Sequence, residues 1–456
     1  METTYDVRIW TTRIYKGSRT TTHYVRWKVG DRSFQEGFRT EALADSFRSK
    51  LVTASRSGEA FEIGSGLPVS MVRNGNSASW YEFACSYVDM KWPDAAGKSR
   101  AGIAETLATV TPTLMTGASG RPADDLLRRT LYGWSFNTRA RRSGPASLES
   151  AGVVRWLERN TLPVSDLAKP EVTRQVLAVI GRRLDGRPAA ASTTQRKRAV
   201  LFNAMEYAVE RRLLSANPLS TLKVKRAKVA DEVDRRVVVN LDQACRLLEA
   251  VGKQGVTGRR LMAFFGAMYY AALRPAEAAD LAESTLRIPT DGWGEIFLPG
   301  SAPTTGAAWS DNGMRRDERG LKHRPRAAIR VVPCPPPLTV LLRAHLGEFG
   351  ANQRGRLFGA ARNPDADLSD SVYRRVWSIA RTKALTAEEA ASPLARRPYD
   401  LRHAAVSTWL NAGVPPTQVA EWAGHSVAVL LRVYAKCIAG QDEAARNRVA
   451  RALGLP

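Results

Sequence analysis

In "EWAGHSVAVLLRVYAKC", residues 421–437, a histidine follows a glycine that can stop a helix, and a tyrosine stands nine residues further on. Gly424 suits the left-handed residue that closes a helix, so His425 falls in the turn behind it. Ser426 can cap a following helix that carries Tyr434 near its far end. A tyrosine at helical spacing is most often a core residue with a polar tip. What gives Tyr434 weight is the set of residues upstream of it.

In "RRPYDLRHAAVSTWL", residues 396–410, Pro398 suits the first turn of a helix. Tyr399 and Arg402 then share a face, while His403 points about 100° away from Arg402. An arginine near a helix N-terminus gains nothing from the helix dipole, so its placement there makes sense if an anion is bound. In "ALRPAEAADL", residues 272–281, Arg274 and Glu277 lie three apart at a helix start. Lys322 precedes a strand in the cation-rich "RGLKHRPRAAIRVV", residues 319–332. Each feature alone is ordinary surface chemistry. Together they are what a metal-free attack on a phosphodiester requires. Guanidiniums clamp the non-bridging oxygens and offset the charge of the transition state. An ammonium can protonate the departing oxygen. A phenol, which ionises near pH ~10 in water, needs a cationic surround to become a nucleophile.

Arg274 with Glu277, Lys322, the "YDLRH" box, the Gly-His pair and Tyr434, in that order, resemble the tyrosine recombinase (phage integrase) family. The spacing from His425 to Tyr434 also agrees. The resemblance implies a site-specific DNA recombinase that breaks and rejoins DNA through a 3′-phosphotyrosyl intermediate, integrating or excising a phage or mobile element. Tyr434 would be the nucleophile, and Arg274 and Arg402 would bind the scissile phosphate. Lys322 would be the general acid, His425 would hydrogen-bond the phosphate, and Glu277 would support the first arginine. No metal and no other cofactor is implied. The partners implied are double-stranded attachment sites, a homo-tetramer on synapsed DNA and a directionality factor. One position departs from the pattern: Tyr399 stands where the His-x-x-Arg box has its histidine. A phenol can donate to phosphate but is a poor proton acceptor at pH 7. His403, with its different helical direction, is expected to support the site rather than replace that histidine. Arg324 and Arg326 compete with Lys322 for part of its place. Tyr399 favours a second reading, a catalytically silent DNA-binding protein on the same fold. A third, a type IB-like topoisomerase, is disfavoured by the extra N-terminal module.

The rest of the 456-residue chain fits a multidomain protein, mainly α with small β elements. Its 68 Lys+Arg against 44 Asp+Glu, a formal +24, favour a polyanionic partner. No run approaches the ~20 apolar residues that cross a bilayer, and the N-terminus lacks a signal-peptide layout, so a cytoplasmic location is expected. Cys85, Cys245, Cys334 and Cys437 are scattered, which argues against a zinc site or a disulfide framework. Residues 1–65 alternate as three strands and a helix, which resembles an arm-type DNA-binding domain, with Arg26 and Lys28 on the middle strand. Residues 76–222 read as an all-α core-binding domain, where Arg196, Lys197 and Arg198 stand at the start of a helix as phosphate contacts. Residues 223–236 form a basic linker with Lys223, Lys225 and Arg226. Residues 237–456 form an α+β catalytic domain with a C-terminal helix expected to pack on a neighbouring protomer.

Overall fold

The computed structural model describes residues 2–16, 21–71, 78–117, 119–144, 146–222, 232–301, 303–314, 316, 319–320, 329–434 and 442–454. Lys223, Lys225, Arg226 and Lys322 lie outside the described residues, as do Arg324 and Arg326. The chain divides into two compact units, Met1–Ala227 and Lys228–Pro456.

The first unit opens on an antiparallel sheet. The strand Thr21–Val29 sits in its middle and pairs with Arg32–Phe38 on one side. Its period-2 pattern buries Val25, Trp27 and Val29, whereas Arg26 is exposed and Lys28 half-buried on the opposite face. The single first strand expected from the alternation is two short ones, Val7–Ile9 and Arg13–Lys16. Both pair with the middle strand, and the ladder skips between Ile9↔Trp27 and Arg13↔Tyr24. Three residues there face two, so the strand bulges, which alternation alone does not reveal. Thr40 caps the helix Glu41–Arg56, which closes over the sheet through Ala44, Leu51 and Ala54.

The remainder of the unit is helical. Ser79 and Glu82 form a reciprocal cap on the helix Trp80–Lys91. The helix Ala191–Glu210 starts earlier than the cation triplet, so Arg196, Lys197 and Arg198 occupy its second turn. Lys197 is 6% exposed and is held by Glu105 at 3.1 Å and Thr109 at 3.3 Å. Where the sequence suggests an exposed phosphate contact, the structure therefore commits this ammonium to a carboxylate of its own unit. Arg196 also pairs with Glu105 but stays about half exposed, and Arg198 donates to the Leu219 carbonyl.

In the second unit the helix Gly255–Tyr270 is the core element, with Leu261, Phe264, Phe265 and Met268 buried. A three-stranded antiparallel sheet of Leu286–Arg287, Gly294–Leu298 and Arg330–Cys334 packs beside it. Val233, assigned by the sequence to the linker, belongs to this unit instead. It is buried in the cluster that holds Tyr434, and its N–H donates to the Val433 carbonyl at 2.8 Å. No described helix is long and apolar enough to cross a membrane.

Candidate active site

Five helices and a strand converge in the second unit. The core helix ends at Tyr270, and Ala272 then adopts φ +51°, a conformation that strains a residue with a side chain. That turn carries the Ala272 carbonyl to the Arg402 guanidinium, which donates to it through Nη1. Arg274 follows, at the N-terminus of the helix Pro275–Ala279. It donates to Glu277 Oε1 at 2.6 Å and to the Gly424 carbonyl at 2.8 Å. Its backbone N–H donates to Glu277 Oε2 at 2.9 Å, so one carboxylate holds both the side chain and the main chain of Arg274.

Arg402, on the helix Asp400–Asn411, is 0% exposed. Besides Ala272 it donates to the Ala423 carbonyl, and its Nη2 lies 2.9 Å from His425 Nε2. Arginine can only donate, so His425 Nε2 is the acceptor of that bond and the ring proton sits on Nδ1. Among the described residues, His425 Nδ1, Arg402 Nε and Arg330 Nε are buried without a hydrogen-bond partner.

Arg330 is the residue that sequence reasoning missed. It opens the strand Arg330–Cys334 at an inward-facing position, is 2% exposed, and donates to Glu277 Oε2 at 2.7 Å. The signal was present in "IRVV": a cation at the buried phase of a strand demands a buried acid. Three guanidiniums therefore surround one carboxylate, with Arg402 Nη1 3.9 Å from the same Oε2. Burial pushes the Glu277 carboxyl up, but Arg330, Arg274 and Arg402 outweigh it and hold it at about 2. The cluster keeps a surplus of two positive charges. Buried cations without counter-charge are costly, and an anion bound there offsets them.

Tyr434 ends the helix Val427–Tyr434 and is 1% exposed. Its ring stacks on His425, with centroids 6.1 Å apart and planes at 30°. Its hydroxyl lies 2.9 Å from His403 Nδ1. The sequence expects His403 to support the site, and its helical direction carries it to the Tyr434 hydroxyl. Arg402 and His403 do diverge, but the tyrosine helix lies on the side to which His403 turns. Tyr399 packs edge-on against His403 at 5.1 Å and interacts with Arg274. The structure thus brings together Arg274, Glu277, Tyr399, Arg402, His403, His425 and Tyr434.

Gly424 closes the helix Pro416–Ala423 with φ +65°, as the sequence predicts. A Cβ there would lie 2.0 Å from Arg330 Nη1 and 3.3 Å from Arg274 Nη1. Gly424→Ala will displace the guanidiniums, because the left-handed backbone leaves the methyl group no other direction. A reaction that depends on these guanidiniums should slow about a hundredfold in the Ala variant, measured as its rate against wild type.

The two site imidazoles, together with the buried His345 of the same unit, which burial also pushes down, weaken this unit in acid. Burial, then Arg402, Arg274 and Arg330, push His425 down to about 3; burial, then Arg402 and Arg397, push His403 down to about 4. Both ionise near 6.5 when unfolded, so the unfolded chain takes up protons first as pH falls. The second unit will lose stability from pH ~6.5 down to ~4 or below, whereas Glu277 adds loss as pH falls from its ordinary value of 4.5 to about 2. Melting curves against pH test this, and His403→Asn will flatten the upper part of the decline.

No family model matches the sequence, and no curated protein matches it. Among solved structures the chain is similar to the Tn1549 transposon integrase in complex with a circular-intermediate DNA (TM-score 0.48, 15% identity, covering 68% of this chain and 96% of that one). It is also similar to the XerH site-specific recombinase bound to difH (TM-score 0.43, 12% identity, 78% and 95%). A third is lambda integrase bound to DNA (TM-score 0.42, 11% identity, 77% and 93%).

Proposed function

We propose that this chain is a site-specific DNA recombinase of the tyrosine type. The observation that carries the reading is the arginine cluster, three guanidiniums on one carboxylate, set beside a tyrosine whose hydroxyl meets an imidazole. The surplus charge is suited to a single DNA phosphate. Arg274 and Arg402 bind its non-bridging oxygens, with His425 Nδ1–H as a further donor. Tyr434 attacks phosphorus and leaves a 3′-phosphotyrosyl bond and a free 5′ hydroxyl. A 5′ hydroxyl from a second duplex then attacks that bond and restores the backbone. The bond energy stays in the intermediate, so the exchange needs no external energy source. Lys322 is proposed as general acid on the family resemblance. The silent-binder reading loses its main support, since His403 supplies an imidazole at the tyrosine even though residue 399 is not histidine.

A pool of randomised, nicked duplexes tests this. Incubation with the chain should yield SDS-resistant adducts, and the captured DNA should converge on a common sequence. Digestion should place the nucleotide on the peptide containing Tyr434. A pool from which no adduct forms overturns the reading.

The remaining assignments extend it. The helical part of the first unit serves as the core-binding domain and its N-terminal sheet as the arm-binding domain. A homo-tetramer forms on paired sites, with the helix Asp442–Ala452 docking on a neighbouring protomer. On the sheet, Arg8 pairs with Lys28 across the strands, and Arg26 lies over the Trp10 ring at 5.6 Å. These cations share the face opposite the buried Val25, Trp27 and Val29. Arg26→Ala and Lys28→Ala will each weaken DNA binding and lower the slope of log affinity against log salt by ~0.9. Fluorescence anisotropy across a salt series measures both effects.

A further inference from the structure

We infer that His403 accepts the proton that Tyr434 loses as it attacks phosphorus, an assignment that rests on the reading of Tyr434 as nucleophile. Two imidazoles touch the tyrosine, and their hydrogen bonds give them different tasks. His425 already accepts from Arg402 through Nε2, so it faces an anion as a donor. His403 presents Nδ1 to the phenolic oxygen at 2.9 Å, within the distance a general base requires. A neutral phenol donates, which makes His403 Nδ1 the acceptor and puts its ring proton on Nε2.

The surroundings suit the task. Tyr399, one helical turn back, packs its edge against the His403 ring and limits its rotation. Burial and the charges of Arg402 and Arg397 keep the imidazole unprotonated across the neutral range, so it is always ready to accept. The same field makes it a weak base in the free protein. A bound phosphodiester offsets that field, so His403 gains basicity in the complex, when the proton must move. The residue at 399 thus holds the base in place, and the base itself stands at 403.

The step balances. The phenolic oxygen forms its bond to phosphorus while its proton passes to His403 Nδ1. The bond from phosphorus to the 5′ oxygen breaks with its electron pair, and Lys322 protonates that oxygen by the assignment above. In rejoining, His403 returns the proton to the departing phenolate.

The test uses the full chain and a duplex recovered by covalent capture, made in two forms. One is ordinary DNA; the other has sulfur in place of the bridging 5′ oxygen at the scissile position. A sulfur leaving group needs no proton, so that duplex masks loss of an acid and leaves loss of a base visible. His403→Asn keeps an acceptor near the position of Nδ1 but cannot take a proton. It should form adduct about a hundredfold more slowly than wild type on both duplexes. It should bind them with affinity unchanged within about threefold, since phosphate contacts elsewhere dominate affinity. His403→Ala should be similarly slow, and added imidazole should restore part of its rate, which a misfolded chain would not allow. An adduct rate for His403→Asn within about threefold of wild type on the sulfur duplex overturns the assignment and leaves the recombinase reading standing. If wild type itself captures no duplex, both fall together.

Discussion

Tyr434→Phe will form no covalent adduct with any duplex, and its fold will be nearly unchanged. The substitution removes one oxygen and leaves the ring. The ring's packing in the buried cluster with Leu430, Val406 and Ala405 stays, as does its stacking on His425. Loss of the hydroxyl removes its hydrogen bond to His403, which should cost about 1 kcal/mol of stability. The role proposed for it has no substitute, because a carbon–hydrogen bond cannot attack phosphorus. The expected result is a melting temperature within a few degrees of wild type, duplex binding intact and adduct formation below detection. An adduct in the Phe variant would mean another residue is the nucleophile. Peptide mapping of that adduct would identify it.

Arg402→Lys will slow adduct formation by about a hundredfold to a thousandfold, the range seen when a preorganised donor to a developing oxyanion is lost. The charge is conserved, so electrostatics alone does not explain the expected loss. Arg402 uses its planar fork to reach Ala272, Ala423 and His425 at once, and it is wholly buried. An ammonium is shorter, compact and more strongly hydrated, and it cannot span those three positions. The bond that fixes His425 as acceptor at Nε2 would be lost, and with it the orientation of Nδ1–H. Duplex affinity should fall far less than rate, since most phosphate contacts lie elsewhere. Equal losses in affinity and rate would show that Arg402 supports binding in general rather than the transition state.

Part of this site is legible in the sequence for a plain reason. Gly424, Ser426 and Thr40 act on their own neighbours, and a helix stop or cap is decided within a turn. The order of Arg274, Arg402, His425 and Tyr434 is likewise readable, because reactive side chains are conspicuous by type. Lys197 shows the opposite case. Its sequence neighbours suggest an exposed basic helix end, but Glu105 on another helix buries it. Nothing within a few residues of position 197 carries that information.

Residue types, their order and their local periodicity carry the chemical inventory of this chain: a basic, mainly helical protein with small sheets and a set of residues suited to a phosphodiester. Tertiary structure alone decided how those residues divide the work. Arg330 meets Glu277 across 53 positions, and His403 meets Tyr434 across 31. Helical periodicity gives the direction in which a side chain leaves its own element. It does not say which other element lies in that direction, and the charge shared among three arginines and the pairing of imidazole with phenol both depend on that.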